Sequence, residues 1–214
     1  MEFERARTKE QKDVRISEII EAAVHQYHHM PYEEITLASI SKDLSFSRVN
    51  LYKYFNSKEE IFLKIVELDM YKWIDKLKLI FSGQPSKDVK SFAFKWSSAL
   101  YSQKRMAELL SMLYADLEKH SSIEKLAEFK QSYFYLYGEL LEILKHQLPM
   151  LKKHQIEEFL MIQNTFAMGL YPMCKMTESQ QKAIEMTGHK YHAPDFIETL
   201  THFIVTYVHG QSKH

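Results

Sequence analysis

The chain has 214 residues, of which 28 are Lys or Arg and 28 are Asp or Glu, so its net charge gives no bulk indication of a nucleic-acid partner. Hydrophobic residues make up 45% of the chain, which excludes disorder as the dominant state, and five Gly and five Pro are too few for the turns of a β-rich fold. A single cysteine excludes an internal disulfide, and no run of roughly 20 apolar residues is present, so we expect a soluble cytoplasmic protein without a membrane partner.

Apolar periodicity, capping residues and prolines predict four helices in the N-terminal part of the chain. The predicted helices cover about residues 9–29, 36–44, 47–54 and 57–80. Their predicted N-terminal caps, each a hydroxyl residue, are Thr8, Thr36, Ser47 and Ser57. The first helix ends before Pro31, because the residue that precedes a proline is displaced from the helical region.

The same signals predict that the rest of the chain is helical. After a short break that contains Gly and Pro, helices are predicted at about 87–103, 105–119, 123–148 and 153–171. Ser121 is the predicted cap of the third of these, and Pro172 ends the fourth. A final helix has Pro194 in its first turn and ends before Gly210, and Thr177 allows a short helix before it. The predicted fold class is therefore all-α.

Residues 36–58 have the layout of a helix-turn-helix, in which the second short helix enters a DNA major groove. The apolar residues that would form its small core are Leu37, Ile40, Leu44, Phe46, Leu51 and Phe55. The polar residues that remain for the outward face of the second helix are Arg48, Asn50, Lys53 and Tyr54. Arg and Asn can read base edges and Lys and Tyr suit phosphates, whereas the alternative interpretation is an ordinary solvated helix face.

The string SRVNLYKYFNSKEE at residues 47–60 resembles the signature of the TetR family of bacterial transcriptional regulators. In that family the recognition helix runs into a Leu-Tyr-x-Tyr/His-Phe-x-Ser/Asn-Lys-Glu tail, which residues 51–59 match. The resemblance covers about the first quarter to third of the chain. It implies a helix-turn-helix domain over residues 1–58 and a helical regulatory and dimerisation domain over residues 59–214, which begins with a long connecting helix.

The resemblance also implies which residues face DNA. The implied DNA-binding residues are Thr36, Ser47, Arg48, Val49, Asn50, Tyr52, Lys53, Tyr54 and Lys58. Among them, Thr36 corresponds to a backbone-contacting cap and Lys58 to a phosphate-contacting lysine. Two residues depart from the family pattern, because Ser45 and Pro31 stand where the family usually has Gly. A positive φ at Ser45 would cost on the order of 1 kcal/mol.

A small-molecule effector is a further implication of the resemblance. Aromatic residues and Met are frequent between residues 87 and 171, and such side chains can line an adaptable cavity for an apolar or aromatic ligand. The alternative for each of them is an ordinary core position. The residues that we select for their mixture of apolar bulk and hydrogen-bonding tips are Trp96, Tyr137, Gln163 and Phe166.

The last two long helices carry apolar stripes that are wider than one intrachain neighbour requires. Pairing with a second copy in a four-helix bundle would bury the surplus, and the resemblance implies such a homodimer. The predicted interface residues are Phe159, Phe166, Leu170, Phe196, Leu200, Phe203 and Tyr207. The alternative is a fully intrachain core. In a dimer, two recognition helices about 34–36 Å apart would reach adjacent major grooves of an inverted-repeat operator.

No cofactor, metal site or catalytic residue is predicted. The histidines at 25–29 and 189–192 have no Cys or carboxylate partner at ligand spacing, and Cys174 is interpreted as an incidental thiol. The predicted function is a TetR-like regulator, a repressor that binds a double-stranded DNA operator and is released by a small ligand. The alternatives are a ligand-independent DNA-binding or protein-recruiting dimer, and a helical ligand carrier or enzyme with a degenerate DNA head.

Overall fold

The computed structural model describes residues 9–211, and every regular element in that range is helical. The α-helices are α1 Lys9–His29, α2 Leu37–Ile40, α3 Arg48–Leu51, α4 Lys58–Ile80, α5 Val89–Tyr101, α6 Lys104–Ser111, α7 Ile123–Gln147, α8 Lys153–Cys174, α9 Glu178–Met186 and α10 Phe196–Gln211. Two 3₁₀ turns cover Tyr32–Glu34 and Ser41–Asp43, and a π-helical turn covers Leu113–Leu117. The all-α prediction is confirmed. None of the described helices is both long enough and apolar enough to cross a bilayer.

The chain packs into two compact units. The first contains the described residues up to Leu68 together with Met112–Ser132. The second contains Asp69–Ser111 and the described residues from Tyr133 onward. Because α4 and α7 each contribute residues to both units, these packing boundaries do not coincide with residue 58, where the functional division between domains stays a prediction.

The first unit is built around α1, the helix-turn-helix and the first turns of α4. Phe62 of α4 is fully buried, and the rings of Tyr27 and Tyr32 pack against it with centroids 5.4 and 5.0 Å away. The buried members of the predicted helix-turn-helix core are Leu37, Ile40, Phe46, Leu51 and Phe55. Leu44 is only half-buried, because the chain leaves the helix there with an extended backbone (φ −94°, ψ 149°).

The second unit is a helical layer in which α10 packs on α5 and α8, and α6 packs on α8. Its aromatic cluster has ring centroids 5.5 to 6.4 Å apart and consists of Trp73, Phe81, Phe92 and Trp96. The Asp69 carboxylate joins α4 to α6, because it accepts hydrogen bonds from Arg105 Nε at 2.7 Å and Nη2 at 2.6 Å. This bidentate geometry is the strongest that a guanidinium and a carboxylate can form.

Several predicted helix ends are wrong. α2 ends at Ile40 and continues as a 3₁₀ turn, and α3 ends at Leu51, after which the chain forms turns. The predicted helix at 105–119 is divided between α6 and the π-helical turn. Pro172 does not end α8, which continues to Cys174, because a proline this close to a helix end removes only one backbone donor.

The predicted caps have mixed outcomes. Ser122, rather than the predicted Ser121, caps α7, because its Oγ accepts a hydrogen bond from the backbone N–H of Lys125 at 3.5 Å. The short helix predicted after Thr177 is confirmed as α9, and Thr177 forms a complete capping box at its start. The predicted cap at Thr8 lies outside the described residues.

Candidate nucleic-acid interface

The start of α2 is held by Thr36, as predicted. Its Oγ1 accepts a hydrogen bond from the Ser39 backbone N–H at 3.0 Å, and the Thr36 backbone N–H donates to Ser39 Oγ at 3.0 Å. This reciprocal pair is a capping box, which satisfies two backbone donors that the helix leaves free at its start. The Thr36 residue remains exposed to solvent.

A buried glutamine of α1 bonds to α2 and to the 3₁₀ turn that follows it. Gln26 donates from Nε2 to Asp43 Oδ2 at 2.7 Å, and its Oε1 accepts from Ser39 Oγ at 2.7 Å. Only 5% of Gln26 is exposed, whereas its partners Ser39 and Asp43 keep contact with solvent. Satisfied bonds of this kind fix geometry, because leaving the buried amide unpaired would cost roughly 1–3 kcal/mol. The position of α2 is therefore set by α1.

The turn between α2 and α3 is closed by a second polar group from α1. The Glu18 carboxylate accepts the Ser45 backbone N–H at 2.5 Å, and Arg15 Nη1 donates to Ser45 Oγ at 2.8 Å. Burial alone would raise the pKa of Glu18, but the hydrogen bonds from Ser45 and Arg15 outweigh burial and hold the pKa below its ordinary value. No described non-Gly residue has a positive φ, so the strain expected at Ser45 is absent.

The helix α3 presents a short row of exposed side chains. Ser47 precedes it in extended conformation without a side-chain capping bond, and Leu51 is fully buried beneath it. Arg48 and Val49 are exposed, and Arg48 Nη2 donates to Tyr52 Oη at 2.8 Å. The hydrogen bond from Arg48 to Tyr52 stays within this row of side chains, which points away from the buried Leu51.

Two polar side chains near the end of α3, those of Asn50 and Lys53, form a hydrogen bond with each other. Lys53 Nζ donates to Asn50 Oδ1 at 2.5 Å, which uses one of the two lone pairs of that oxygen and leaves the Nδ2 donors available. Tyr54 differs from its predicted outward position, because it is half-buried with its ring 6.5 Å from the ring of Phe46. Asn50 and Tyr54 are thus more constrained than an ordinary surface residue.

Lys58 lies at the first position of α4, and its side chain points toward Tyr32. Its Nζ donates to the Tyr32 backbone carbonyl at 2.7 Å and lies 4.1 Å from the centre of the Tyr32 ring. The Tyr32 hydroxyl in turn donates to Asp116 Oδ2 at 2.7 Å. Burial, followed by the neighbouring carboxylates of Asp116 and Glu59, raises the pKa of Tyr32 above its ordinary value. Tyr32 is therefore a neutral donor at neutral pH.

A buried carboxylate supports the same region from behind. Glu60 accepts hydrogen bonds from the Asn56 backbone N–H at 2.6 Å and from Ser122 N and Oγ at 3.0 and 2.6 Å. Ser57, the predicted cap of α4, accepts the Glu60 N–H on its Oγ at 3.2 Å. The capping box is only half formed, because the Glu60 carboxylate accepts from the Asn56 N–H instead of the Ser57 N–H. The roles of Gln26 and Glu18 were not predicted from the sequence. The only indication of them is that each is a polar residue on the side of α1 that packs on the helix-turn-helix.

Of the four residues selected for a ligand site, two come together. Trp96 and Gln163 are fully buried, and Trp96 Nε1 donates to Gln163 Oε1 at 3.2 Å. Tyr137 and Phe166 have other partners, since the Tyr137 hydroxyl donates to the Glu157 carbonyl at 3.4 Å and Phe166 stacks on a residue of α10. Burial raises the pKa of Tyr137. Among the described residues of the second unit, buried polar atoms without a hydrogen-bond partner include Trp73 Nε1, Ser97 Oγ and Thr201 Oγ1.

The predicted dimer residues divide into two groups. The four that are buried inside their own chain, and so offer no surface to a second copy, are Phe159, Leu170, Phe196 and Leu200. We correct the prediction by removing these four, whose apolar stripes serve the core of α5, α8 and α10. The three that keep exposed surface are Phe166, Phe203 and Tyr207.

The remaining groups that could carry chemistry are possible metal ligands and the thiol of Cys174. Within residues 9–211 no group of three or more His, Cys, Asp or Glu side chains is placed to hold a metal ion. Cys174 is half-buried, and burial together with the carboxylate of Asp195 raises the pKa of its thiol. A raised pKa disfavours the reactive thiolate.

The two short helices α2 and α3, with their shared small core and the exposed side chains of α3, have the helix-turn-helix architecture of DNA-binding proteins. Two family models match it. The model described as "Bacterial regulatory proteins, tetR family" matches residues 19–65, and the one described as "Tetracyclin repressor-like, C-terminal domain" matches residues 68–214. The chain belongs to the TetR family and is a transcriptional regulator, as its sequence signature predicts.

One sequence relative and two solved structures are similar to this chain, the structures in fold alone. The chain is 39% identical over 70 residues to the Bacillus subtilis protein named "Uncharacterized HTH-type transcriptional regulator YfiR", a match that spans 33% of this chain and 34% of that protein. The fold is similar to that of the fatty acid degradation regulator FadR from Bacillus halodurans, with a TM-score of 0.52, 18% identity, and coverage of 94% of this chain and 97% of that one. A putative transcriptional regulator from Streptomyces coelicolor has a TM-score of 0.55 at 12% identity, with 92% and 96% coverage.

Proposed function

We propose that this regulator is a repressor that binds an inverted-repeat operator as a homodimer and releases it when a small apolar or aromatic ligand binds. The observation that carries the proposal is the surface of α3. Arg48 and Val49 are exposed at its start, while Leu51 beneath them is fully buried and fixes their direction. No acidic residue occurs between residues 45 and 58, so this surface favours a polyanion.

The side chains divide by the kind of contact that their chemistry allows. Arg48 and Asn50 are assigned to base edges, because a guanidinium and an amide can read donor and acceptor patterns in the major groove. The residues assigned to the phosphate backbone are Thr36, Ser47, Tyr52, Lys53, Tyr54 and Lys58. For Lys58, whose ammonium already donates to the Tyr32 carbonyl, a phosphate contact uses its remaining two hydrogens.

The homodimer is supported by the uncovered side of α8. Met161, Thr165, Gly169 and Met173 are exposed at spacings of four residues, so they share one stripe of the helix. Met161 is 60% exposed, which is a large apolar surface for a side chain in the middle of a well-ordered helix. Next to this stripe, Phe166 and Phe203 stack with ring centroids 4.2 Å apart and planes 6° apart. An exposed apolar stripe beside a stacked pair fits a self-complementary interface.

The dimer is tested by placing a charge beside this stripe, at Phe203 of α10. In Phe203→Asp, an unpaired carboxylate would enter the proposed interface, and we expect the mass measured by analytical ultracentrifugation to fall from that of two chains to one. The control is Phe134→Asp in α7, where the original side chain is also exposed, and we expect that variant to stay dimeric. A chain that is monomeric before substitution, or dimeric after it, would count against the proposal.

The ligand is supported by polar groups inside the second unit. The buried pair Trp96 and Gln163, with the unpaired buried hydroxyls of Ser97 and Thr201, supplies hydrogen-bonding capacity in an aromatic surrounding. Unpaired buried polar groups are costly, and a bound ligand with a polar group would satisfy them. A ligand of the folded state raises the melting temperature by mass action, so a thermal-shift screen of apolar and aromatic compounds detects it. Compounds that stabilise the chain without weakening DNA binding would not be effectors.

DNA binding is tested by fluorescence anisotropy on the duplex upstream of the chain's own coding sequence. We expect saturable binding whose affinity falls steeply with added salt, because phosphate contacts release counterions. Arg48→Ala should lower affinity by about 1–3 kcal/mol for each half-site, the usual value of one base contact. Lys182→Ala is the matched control, since it removes an exposed charge from α9 in the second unit. Unchanged binding in Arg48→Ala would contradict the assignment of the α3 surface.

A further inference from the structure

Val49 is the most exposed apolar side chain of the helix-turn-helix. It is 74% exposed at the second position of α3, and it follows Arg48 directly. A single exposed valine on a protein surface needs no explanation by itself. The position of Val49 does need an explanation, because residues at the N-terminal end of a recognition helix are the ones that contact base edges in this motif. The side chain of Val49 is thus positioned to contact a base rather than the protein core.

The polar neighbours of Val49 are tied back along the same short segment. The Arg48 guanidinium donates to the Tyr52 hydroxyl on one side, and the Asn50 carbonyl oxygen accepts from Lys53 on the other. These bonds leave the methyl groups of Val49 uncovered between two polar pairs. Because Val is branched at Cβ, its side chain has few rotamers, so little entropy is lost when it is ordered against a ligand.

The pairing of Asn50 restricts what the polar neighbours can read. Bidentate recognition of adenine needs both the carbonyl oxygen and the amino group of an Asn side chain. The Lys53 ammonium takes one of the two lone pairs of Asn50 Oδ1 at 2.5 Å, so an adenine that uses this oxygen must approach it beside the ammonium. The adjacent methyl groups of Val49 are uncovered, and an apolar contact can distinguish A·T from G·C pairs at this point of the helix.

We infer that Val49 reads the 5-methyl group of a pyrimidine, a thymine, once in each half-site of the operator. The thymine methyl is the one apolar group among the base edges of the major groove, and apolar side chains recognise it by contact. Contact between the two buries apolar surface of both partners, whereas a cytosine at the same place presents an amino donor that Val49 cannot bond. The inference rests on the proposed function, because it requires that α3 enters the major groove.

The test uses duplexes that the full-length chain selects from a random-sequence pool. In the selected duplex, each dT is replaced in turn by dU, symmetrically in both half-sites, which removes only the 5-methyl group. Burial of one methyl-sized group predicts that the affinity of the unaltered chain falls roughly fourfold per half-site at one position, and about fifteenfold for both. Dissociation constants are measured by fluorescence anisotropy at one fixed salt concentration.

Variants assign the effect to Val49. Val49→Ala should bind the dT duplex more weakly and should lose most of its response to dU at that position, because the two γ-methyl groups that reach the base are removed. Val14→Ala is the matched control, since Val14 is also exposed, at 64%, on α1 of the same unit, and it should keep the full response to dU. Placing 5-methylcytosine at the position should recover part of the affinity that unmethylated cytosine loses, and only in chains that retain Val49.

Three results overturn the inference. The first is a selected duplex that the unaltered chain binds equally well with dT and with dU at every position. The second is a Val49→Ala chain that responds to dU as the unaltered chain does. In both cases DNA binding itself persists, so the proposed function survives. The third is the absence of any selected duplex that binds better than random DNA, which overturns the proposed function as well.

Discussion

The buried carboxylate of Glu60 is the polar group of the first unit whose removal should cost the most stability. Only 2% of Glu60 is exposed, and it accepts three hydrogen bonds, one from the Asn56 backbone N–H and two from Ser122. These bonds connect the start of α4 to the start of α7. The carboxylate is acceptor-only, which matches a site in which every neighbouring group donates.

Substitution of Glu60 by Gln keeps the shape and changes the hydrogen bonding. The amide has one acceptor oxygen, so its amino group must face a donor, either the Asn56 N–H or those of Ser122. A hydrogen bond to a charged group contributes about 1.5–3 kcal/mol, and a buried donor left unpaired costs a similar amount. We therefore expect Glu60→Gln to lower the free energy of unfolding by about 2–3 kcal/mol at pH 7.

The pH dependence gives an independent test of the same bonds. Burial alone would raise the pKa of Glu60, but the hydrogen bonds from Ser122 and Asn56 outweigh burial and lower the pKa below the ordinary carboxyl value. A folded-state pKa below the unfolded-state pKa means that the stabilisation is complete above the unfolded value. It is lost as the pH falls through the folded value. The stability difference between the two chains should therefore be constant near neutral pH and shrink below pH 4.5.

The assay is urea unfolding followed by circular dichroism at a series of pH values. Glu21→Gln is the matched control, because Glu21 is exposed on α1, and we expect it to change the free energy of unfolding by less than about 0.5 kcal/mol. A loss of less than about 1 kcal/mol in Glu60→Gln at pH 7, or a difference that stays constant into the acid range, would exclude this role of the Glu60 carboxylate.

Three further predictions follow from single sites. Gln26→Met removes the hydrogen bonds to Ser39 and Asp43. It should lower the free energy of unfolding by about 1–3 kcal/mol and also lower the affinity for DNA. A variant that is as stable in urea as the unaltered chain would exclude this role of Gln26. Gly138→Ala in α7 should raise the free energy of unfolding by about 0.5–1 kcal/mol, because a Cβ at this position meets no atom within 4 Å. A lower melting temperature in calorimetry would disprove this prediction. Cys174 should react with iodoacetamide at pH 8 more slowly than glutathione does, because its pKa is raised, and faster alkylation would contradict that environment.

The parts of the fold that are local in sequence were predictable. Thr36 and Thr177 were identified as caps from residue type and spacing alone, because a cap bonds to a backbone group only three residues away. The helix-turn-helix core followed from apolar spacing in the same way. Periodicity is less informative about where a short helix stops, and the ends of α2 and α3 were predicted several residues too late.

Bonds between residues far apart in the chain were not predictable. Gln26 meets Asp43, and Glu18 meets Ser45, only after α1 has packed on the helix-turn-helix. The expected strain at Ser45 was wrong for this reason, since a carboxylate from α1 holds the turn without a positive φ.

The dimer prediction shows a second limit of sequence patterns. An apolar stripe has the same spacing whether it faces its own chain or a second copy, so Phe159 and Phe203 could not be distinguished from sequence. In the folded chain Phe159 is fully buried, whereas Phe203 keeps exposed surface. Packing of α10 on α8 makes that distinction, because the Phe159 ring lies 5.7 Å from the ring of Tyr207 in α10.

The central claim, that two copies of α3 occupy adjacent major grooves, is tested most directly by hydroxyl-radical footprinting on a selected duplex. We expect two protected patches on one face of the DNA, related by two-fold symmetry and separated by about one helical turn, or 34–36 Å. Both patches should disappear in Arg48→Ala at the same protein concentration. A single asymmetric patch, or a footprint that Arg48→Ala leaves unchanged, would contradict the claim.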